Sequence, residues 1–282
     1  HGNDPAGVGS DRVEHDYGCQ GCVRPGGVTP IMMQLEPWQW ALLVAGAVLV
    51  GMAKTGVAGL GTLFIAIFAN VLPTKQGTGL VLPLLIFGDL VAVAAYRRHT
   101  QWPQLLRLFP WAGVGVLFGY FAMDRIDNQQ ARVLVGGIIV VLMALHLWRR
   151  SQGAKAEDKW KEQGPPAPIV AGTGILAGFT TLIANAAGPL MSIYLLALRL
   201  PKLEFLGTAA MYFLLLNLFK VPFMIHLGLV NGPSLLTNLA LAPAVGAGAL
   251  AGRWLVHRIN QRWFEIITLS LTALAGLKLL LF

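Results

Sequence analysis

A few charged and amide side chains interrupt long apolar stretches, and they are the residues best placed to do chemistry. Lys54 and Asp89 each lie inside such a stretch. Asn217 and Lys220 lie three residues apart in another, so a helix would place them on one face. A buried lysine can hold an anion and a buried carboxyl can carry a proton, whereas an isolated charge at membrane depth costs about 2.5–3.5 kcal/mol. These residues are therefore expected to line a cavity, to pair, or to reach a membrane surface.

Two short segments rich in glycine and small polar residues match each other in the two halves of the chain. Residues 51–62 and residues 178–189 both interrupt apolar runs that are long enough to enter a membrane. Such glycine-broken segments at corresponding places in two halves indicate the binding site of a secondary transporter. The broken helices would offer unpaired backbone N–H groups to an anion, and Lys54 would add a positive charge.

Each predicted site residue has a simpler alternative interpretation. The glycines could serve ordinary close packing of membrane helices, and threonine hydroxyls often bond to their own helix. Lys54 could snorkel to an interface, whereas the amide of Asn185 needs several partners in hydrocarbon. The predicted substrate-binding residues are Lys54, Thr55, Gly56, Gly59, Gly61, Thr181, Asn185, Gly188, Asn217 and Lys220.

Asp89 is the only acidic residue placed well inside an apolar segment of the sequence. It is the predicted proton-coupling residue, because carboxyl groups within membranes commonly serve proton relays. The alternative is a static ion pair with Lys54 or Lys220. Asn217 occupies roughly the corresponding place in the second half. Both interpretations place these side chains inside the helix bundle.

The composition predicts an all-α, polytopic membrane protein with eight to ten transmembrane segments. Hydrophobic residues make up 55% of the 282 residues, charged residues only 12%, and the mean hydropathy is +0.63. A soluble domain would carry about 25% charged residues. The net charge of +8 lies in short loops beside apolar blocks, which is typical of cytoplasmic loops and does not indicate nucleic-acid binding.

The chain divides into two halves of five apolar segments each. An odd number of crossings per half forces opposite orientations, so the halves are predicted to be inverted repeats. The second and seventh segments are short and are expected to be half-helices or re-entrant hairpins. The predicted regions are a disordered extension (1–37), a first repeat (38–148), a cytoplasmic linker (149–167) and a second repeat (168–282). The bias of Lys and Arg between alternate loops predicts that the central loop is cytoplasmic and that both termini face outward. The predicted location is the bacterial inner membrane, so the termini would be periplasmic.

The ordered set of landmarks resembles the TauE/SafE family of sulfite exporters, or anion permeases, over residues 38–282. The resemblance rests on the small-residue runs 51–61 and 178–189, on residues 73–78 with Gly77-Thr78 leading into the third segment, and on the central basic loop. It implies alternating-access transport, outward according to the family name, of small sulfur-containing or organic anions such as sulfite or sulfoacetate. Composition alone does not indicate that substrate.

The sequence lacks the motifs of several other classes of membrane protein. The sequence has no Gly-x-Ser-x-Gly motif, no second intramembrane aspartate and no phosphate-binding Gly-x-x-x-x-Gly-Lys-Ser/Thr loop, so an intramembrane enzyme is not favoured. A membrane subunit of a larger transport complex, or a permease for a different small solute, stays open. No cofactor or metal is expected. A structural zinc site needs four ligands, and only His15 and Asp16 lie near the pair Cys19 and Cys22. The expected partners are a small anion and the lipid bilayer, with no nucleic acid, and a homo-oligomer is compatible with the sequence.

Overall fold

The structure is a computed structural model, and it describes residues 36–281 apart from 57–59, 72–73, 124, 126–127, 152–164 and 231. The pair Cys19 and Cys22, nearly all of the predicted extension and the predicted site residue Gly59 lie outside the described residues. Most of the predicted linker does as well. The ranges predicted for these regions therefore stay predictions.

The described residues form ten α-helices, no strand, and a short 3-10 turn at Arg97–His99. This confirms the predicted all-α class. The helices are α1 (Pro37–Thr55), α2 (Gly61–Val71), α3 (Thr74–Tyr96), α4 (Trp102–Met123), α5 (Asn128–Ser151), α6 (Ala167–Ala184), α7 (Ala187–Ala197), α8 (Lys202–His226), α9 (Gly232–Arg258) and α10 (Gln261–Leu281).

Six stretches in the described residues are long and apolar enough to cross a membrane: Pro37–Thr55, Gly79–His99, Trp102–Ala122, Ala167–Ala184, Lys202–His226 and Ser234–Arg258. They establish a multi-pass membrane protein. Helices α5 and α10, with 24 and 21 residues, have the length of a crossing as well. Helices α2 and α7 have 11 residues each, which is about 16 Å of helix and roughly half of a hydrocarbon core. They have the length of the half-helices expected for the second and seventh segments.

The helix ends follow from local chemistry. Helix α1 begins at Pro37 and is capped by Glu36, whose side chain and that of Gln39 satisfy each other's backbone N–H groups. Helix α6 ends at Ala184, and the capping residue Asn185 adopts left-handed backbone angles (φ 51°, ψ 26°). Asparagine tolerates that conformation better than most residues, so it can stop one helix two residues before α7 begins.

In each half, the first helix packs against a late helix of the other half, and this arrangement is called the exchanged packing below. Helix α1 packs along α9, and α6 packs along α4, while α3 packs on α8 and α5 on α10. Glycine permits both exchanged contacts, because a Cβ on Gly51 would overlap the carbonyl of Val245 and one on Gly178 would overlap the carbonyl of Ala112. The two predicted matching segments thus begin with glycines in equivalent contacts. This pairing is what two related halves would produce, and the inverted orientation stays a prediction.

Candidate functional site

A cavity lies where residues beside the two helix breaks meet α3 and α8, and it holds about 700 Å³ of empty space, which includes its opening to solvent. Residues beside the α1–α2 break and beside the α6–α7 break both line it. Most of the lining is apolar, with a few polar groups, which is the usual make-up of a small-ligand site. The polar residues and glycines of the wall are Lys54, Gly61, Thr181, Asn185, Gly188, Ser192 and Asn217.

Lys54 and Asp89 form a buried ion pair at one side of this cavity. Lys54 Nζ lies 2.8 Å from Asp89 Oδ1, and the Asp89 side chain is fully buried. The second oxygen of Asp89 accepts a 2.6 Å hydrogen bond from Nδ2 of Asn217. Both carboxylate oxygens therefore face donors, which is the environment of an ionised carboxylate. Of the two lysines considered as partners for Asp89, the structure pairs it with Lys54.

Lys220 makes a different set of contacts. Its Nζ donates to Asn185 Oδ1 at 2.7 Å, to Thr181 Oγ1 at 3.1 Å and to the Thr181 carbonyl oxygen at 3.2 Å. The residue is fully buried behind the cavity wall that Thr181 and Asn185 form. An ammonium has three N–H donors and no acceptor, so three oxygens around one Nζ match its charged form. All three oxygens are neutral.

These contacts join the two halves of the chain into one polar cluster. Asp89 on α3 and Asn217 on α8 connect the end of α1 to the middle of α8, and Lys220 connects α8 to the end of α6. Lys220 interacts electrostatically with both Lys54 and Asp89. The sequence places these groups far apart, and the close packing of α3 on α8 brings them together.

Thr55 and Gly56, both predicted to bind substrate, lie in helix contacts rather than in the cavity wall. The Thr55 hydroxyl donates toward the carbonyl oxygens of Ala249 and Gly51 at 2.7 and 3.0 Å. A Cβ on Gly56 would overlap the carbonyl of Gly252. Their geometry matches the alternative of helix packing, because every polar atom that the Thr55 hydroxyl meets belongs to helix backbone.

Gly61 and Gly188 differ from Gly56, since both line the cavity. A Cβ on Gly188 would meet no atom within 4 Å, and one on Gly61 would meet only the ring of Phe64, at 3.8 Å. Packing therefore does not require glycine at either place. Their absence of a side chain keeps the cavity open beside these two residues.

Phe213 and Ser192 are cavity residues that the sequence analysis did not predict. Lys54 Nζ lies 4.4 Å from the centre of the Phe213 ring, so the cation contacts an aromatic face as well as Asp89. Ser192 lines the wall on α7, one turn after Gly188. Helical spacing from predicted residues would have found both, because Phe213 precedes Asn217 by four residues and Ser192 follows Gly188 by four.

The described residues contain no group of three or more His, Cys, Asp or Glu that could hold a metal ion. The cavity is instead lined by Lys54, by amide and hydroxyl groups and by the start of α7, and Asp89 and Lys220 lie behind this lining. Unpaired N–H groups at a helix start carry partial positive charge. Together these groups can hold a small anion.

Comparison with known proteins agrees with this geometry. The family profile described as "Sulfite exporter TauE/SafE" matches residues 43–279, which include both helix breaks and every described residue of the polar cluster. No curated protein and no solved structure matches the chain. Because the matched residues cover most of the chain, the protein belongs to the TauE/SafE sulfite exporter family and is a membrane transporter of the sulfite exporter type.

Proposed function

We propose that the protein exports small sulfur-containing or organic anions, such as sulfite or sulfoacetate, through the cavity between the two helix breaks. The observation that carries this proposal is the set of partners of the two lysines. Asp89 balances the charge of Lys54, whereas Lys220 meets only neutral oxygens. The described charges beside the cavity therefore sum to an excess positive charge, which a bound anion would neutralise.

The backbone of the second break supports the same assignment. Asn185 ends α6 in a left-handed conformation, and α7 begins at Ala187 with Gly188 in the cavity wall. The first N–H groups of α7 have no partner within the helix, so they add positive potential near the Lys220 cluster. An oxyanion in the cavity could accept hydrogen bonds from this helix start and from the hydroxyl of Ser192.

We propose alternating access as the mechanism, with the two halves moving against each other around the cavity. The cavity supports it, because helices of both halves contribute to its lining. Asp89 would carry a coupling proton when it parts from Lys54. Export would be driven by the proton gradient or by the membrane potential.

The proposed location is the bacterial inner membrane, with the central loop in the cytoplasm and the termini in the periplasm. Basic residues support this orientation, since Arg97, Arg98, Arg253 and Arg258 are exposed at the ends of α3 and α9. The proposed partners are the anion and the lipid bilayer, and the protein could also form a homo-oligomer.

The test is efflux of radiolabelled sulfite from proteoliposomes, with sulfoacetate, thiosulfate and sulfate as competitors. Wild-type protein is compared with Lys220→Met, which removes the unbalanced charge, and with Arg258→Gln, an exposed cation on α9 that serves as the matched control. We expect saturable efflux in the wild type and control, and loss of most of it in Lys220→Met. If folded wild-type protein moves none of these anions, the proposal is wrong and the role of a subunit in a larger complex, or a different solute, gains support.

A further inference from the structure

Asp89 has a place in the polar cluster that bears on which anions the cavity accepts. It is fully buried, and its two oxygens face Lys54 Nζ at 2.8 Å and Asn217 Nδ2 at 2.6 Å. The carboxylate does not belong to the wall of the cavity, whereas Lys54 and Asn217 do. An anion in the cavity would therefore meet the lysine and the amide, and would sense Asp89 through its charge.

The charge beside the cavity can be counted from the described residues. Lys54 contributes one positive charge and Asp89 cancels it within contact distance. Lys220 contributes a second positive charge, and the three oxygens that accept its hydrogen bonds are neutral. The described side chains that line or directly back the cavity thus carry a single net positive charge.

Burial increases the effect of this net charge on which ligands the cavity can hold. Charges that are removed from water interact far more strongly than exposed ones, and an uncompensated charge is costly. A ligand with one negative charge leaves the cavity neutral. A ligand with two negative charges leaves one of them uncompensated. The buried Asp89 carboxylate also repels such a ligand, and solvent screens this repulsion less than it would at a surface.

From this we infer that Asp89 is a specificity-determining residue that sets the cavity for singly charged sulfur oxyanions, R–SO₃⁻ or HSO₃⁻, over doubly charged ones. This inference rests on the proposed function, since it assigns the charge class of the anion in the same cavity. It makes Asp89 the residue that cancels the charge of Lys54 and leaves the charge of Lys220 for the anion. Loss of the carboxylate should convert the site into one for dianions.

Methanesulfonate and sulfate are the probes that isolate charge. Both are tetrahedral at sulfur and nearly equal in size, but a methyl group replaces one charged oxygen in methanesulfonate. The experiment measures how strongly each inhibits efflux of radiolabelled sulfite from proteoliposomes in exchange for unlabelled external sulfite, at one pH that is equal on both sides, so that no proton gradient has to drive it. We expect methanesulfonate to inhibit wild-type efflux at about tenfold lower concentration than sulfate, and Asp89→Asn to reverse that order.

Two further variants separate charge from structure. Lys54→Met combined with Asp89→Asn removes one charge of each sign, so the net charge and the wild-type order of competitors should both return. Ser192→Asp adds a carboxylate to the cavity wall on α7, and it should weaken inhibition by sulfate by about tenfold more than inhibition by methanesulfonate. This variant still tests the inference if Asp89→Asn alone does not fold.

The outcomes distinguish the two proposals. Sulfite efflux with the same order of competitors in the wild type and Asp89→Asn, and an equal loss of inhibition by both competitors in Ser192→Asp, would overturn the inference and leave the proposed function standing. A wild-type preference for sulfate would overturn it as well. If the wild type shows no anion flux at all, the proposed function is wrong and the inference is wrong with it.

Discussion

Asn217 Nδ2 donates to Asp89 Oδ2 across 2.6 Å, and this bond joins α8 of the second half to α3 of the first. The two residues were predicted at roughly corresponding places in the two halves, and they meet where α3 packs on α8. One supplies a carboxylate and the other an amide, and the difference keeps two like charges from meeting. The pair is thereby both a contact between halves and a component of the polar cluster.

Loss of the Asn217 amide should destabilise the protein. Asn217→Ala leaves Asp89 with Lys54 but without its second donor, and hydrogen bonds to charged groups contribute about 1.5–3 kcal/mol. We expect a loss of about that size in the free energy of unfolding, measured by denaturant titration in detergent. Leu218→Ala, on the same helix at a side chain that is 48% exposed, is the control and should lose less. Equal losses in the two variants would contradict the role of the amide.

The exchanged packing of α6 on α4 should be sensitive to one methyl group. Gly178→Ala would place its Cβ against the Ala112 carbonyl, and overpacking of this kind costs about 1–3 kcal/mol. We expect a lower midpoint of thermal unfolding in detergent. Gly172→Ala is the matched control on the same helix, because a Cβ there meets no atom within 4 Å. A midpoint for Gly178→Ala at or above that of Gly172→Ala would show that the contact is not close.

Asn185 should combine two separable roles, one in backbone conformation and one in holding Lys220. Asn185→Gly keeps access to left-handed angles but loses the 2.7 Å bond to Lys220 Nζ, whereas Asn185→Ala loses both. We expect Asn185→Ala to be less stable than Asn185→Gly by about 1 kcal/mol, with impaired sulfite efflux in both. Equal stability of the two variants would argue against the conformational role, and normal efflux in both would argue against the role toward Lys220.

Gly188 should be replaceable without loss of stability but not without loss of transport. A Cβ at this place enters open space in the cavity wall, so Gly188→Ala should fold normally. We expect its concentration for half-maximal sulfite efflux to rise by about tenfold if the bound anion contacts the start of α7, an effect equivalent to about 1.4 kcal/mol. Gly172→Ala again provides the control. Unchanged efflux in Gly188→Ala would place the anion elsewhere in the cavity.

The sequence was sufficient to predict the helices, because apolar runs and proline positions mark their ends. It also predicted that α2 and α7 are short. It could not predict that Gly56 serves helix packing while Gly188 lines the cavity, because the sequence around a glycine does not show what lies opposite it. Gly56 packs against Gly252, whereas a Cβ on Gly188 would meet no atom within 4 Å. That distinction depends on which distant helix lies opposite. The same limit explains why the partners of Asp89 and Lys220 stayed open, as two lysines were available and only the packing of α3 on α8 selects between them.

The exchange of helices between the halves has a consequence for how the chain assembles in the membrane. Helix α4 gains its partner as soon as α6 is made, but α1 must wait for α9, which is synthesised near the end. Until then the glycine face of α1 around Gly51 has only lipid or other early helices beside it. Truncation before Gly232 should therefore leave the first break without its anchor, so the Lys54 side of the cavity would be the last part of the protein to take shape.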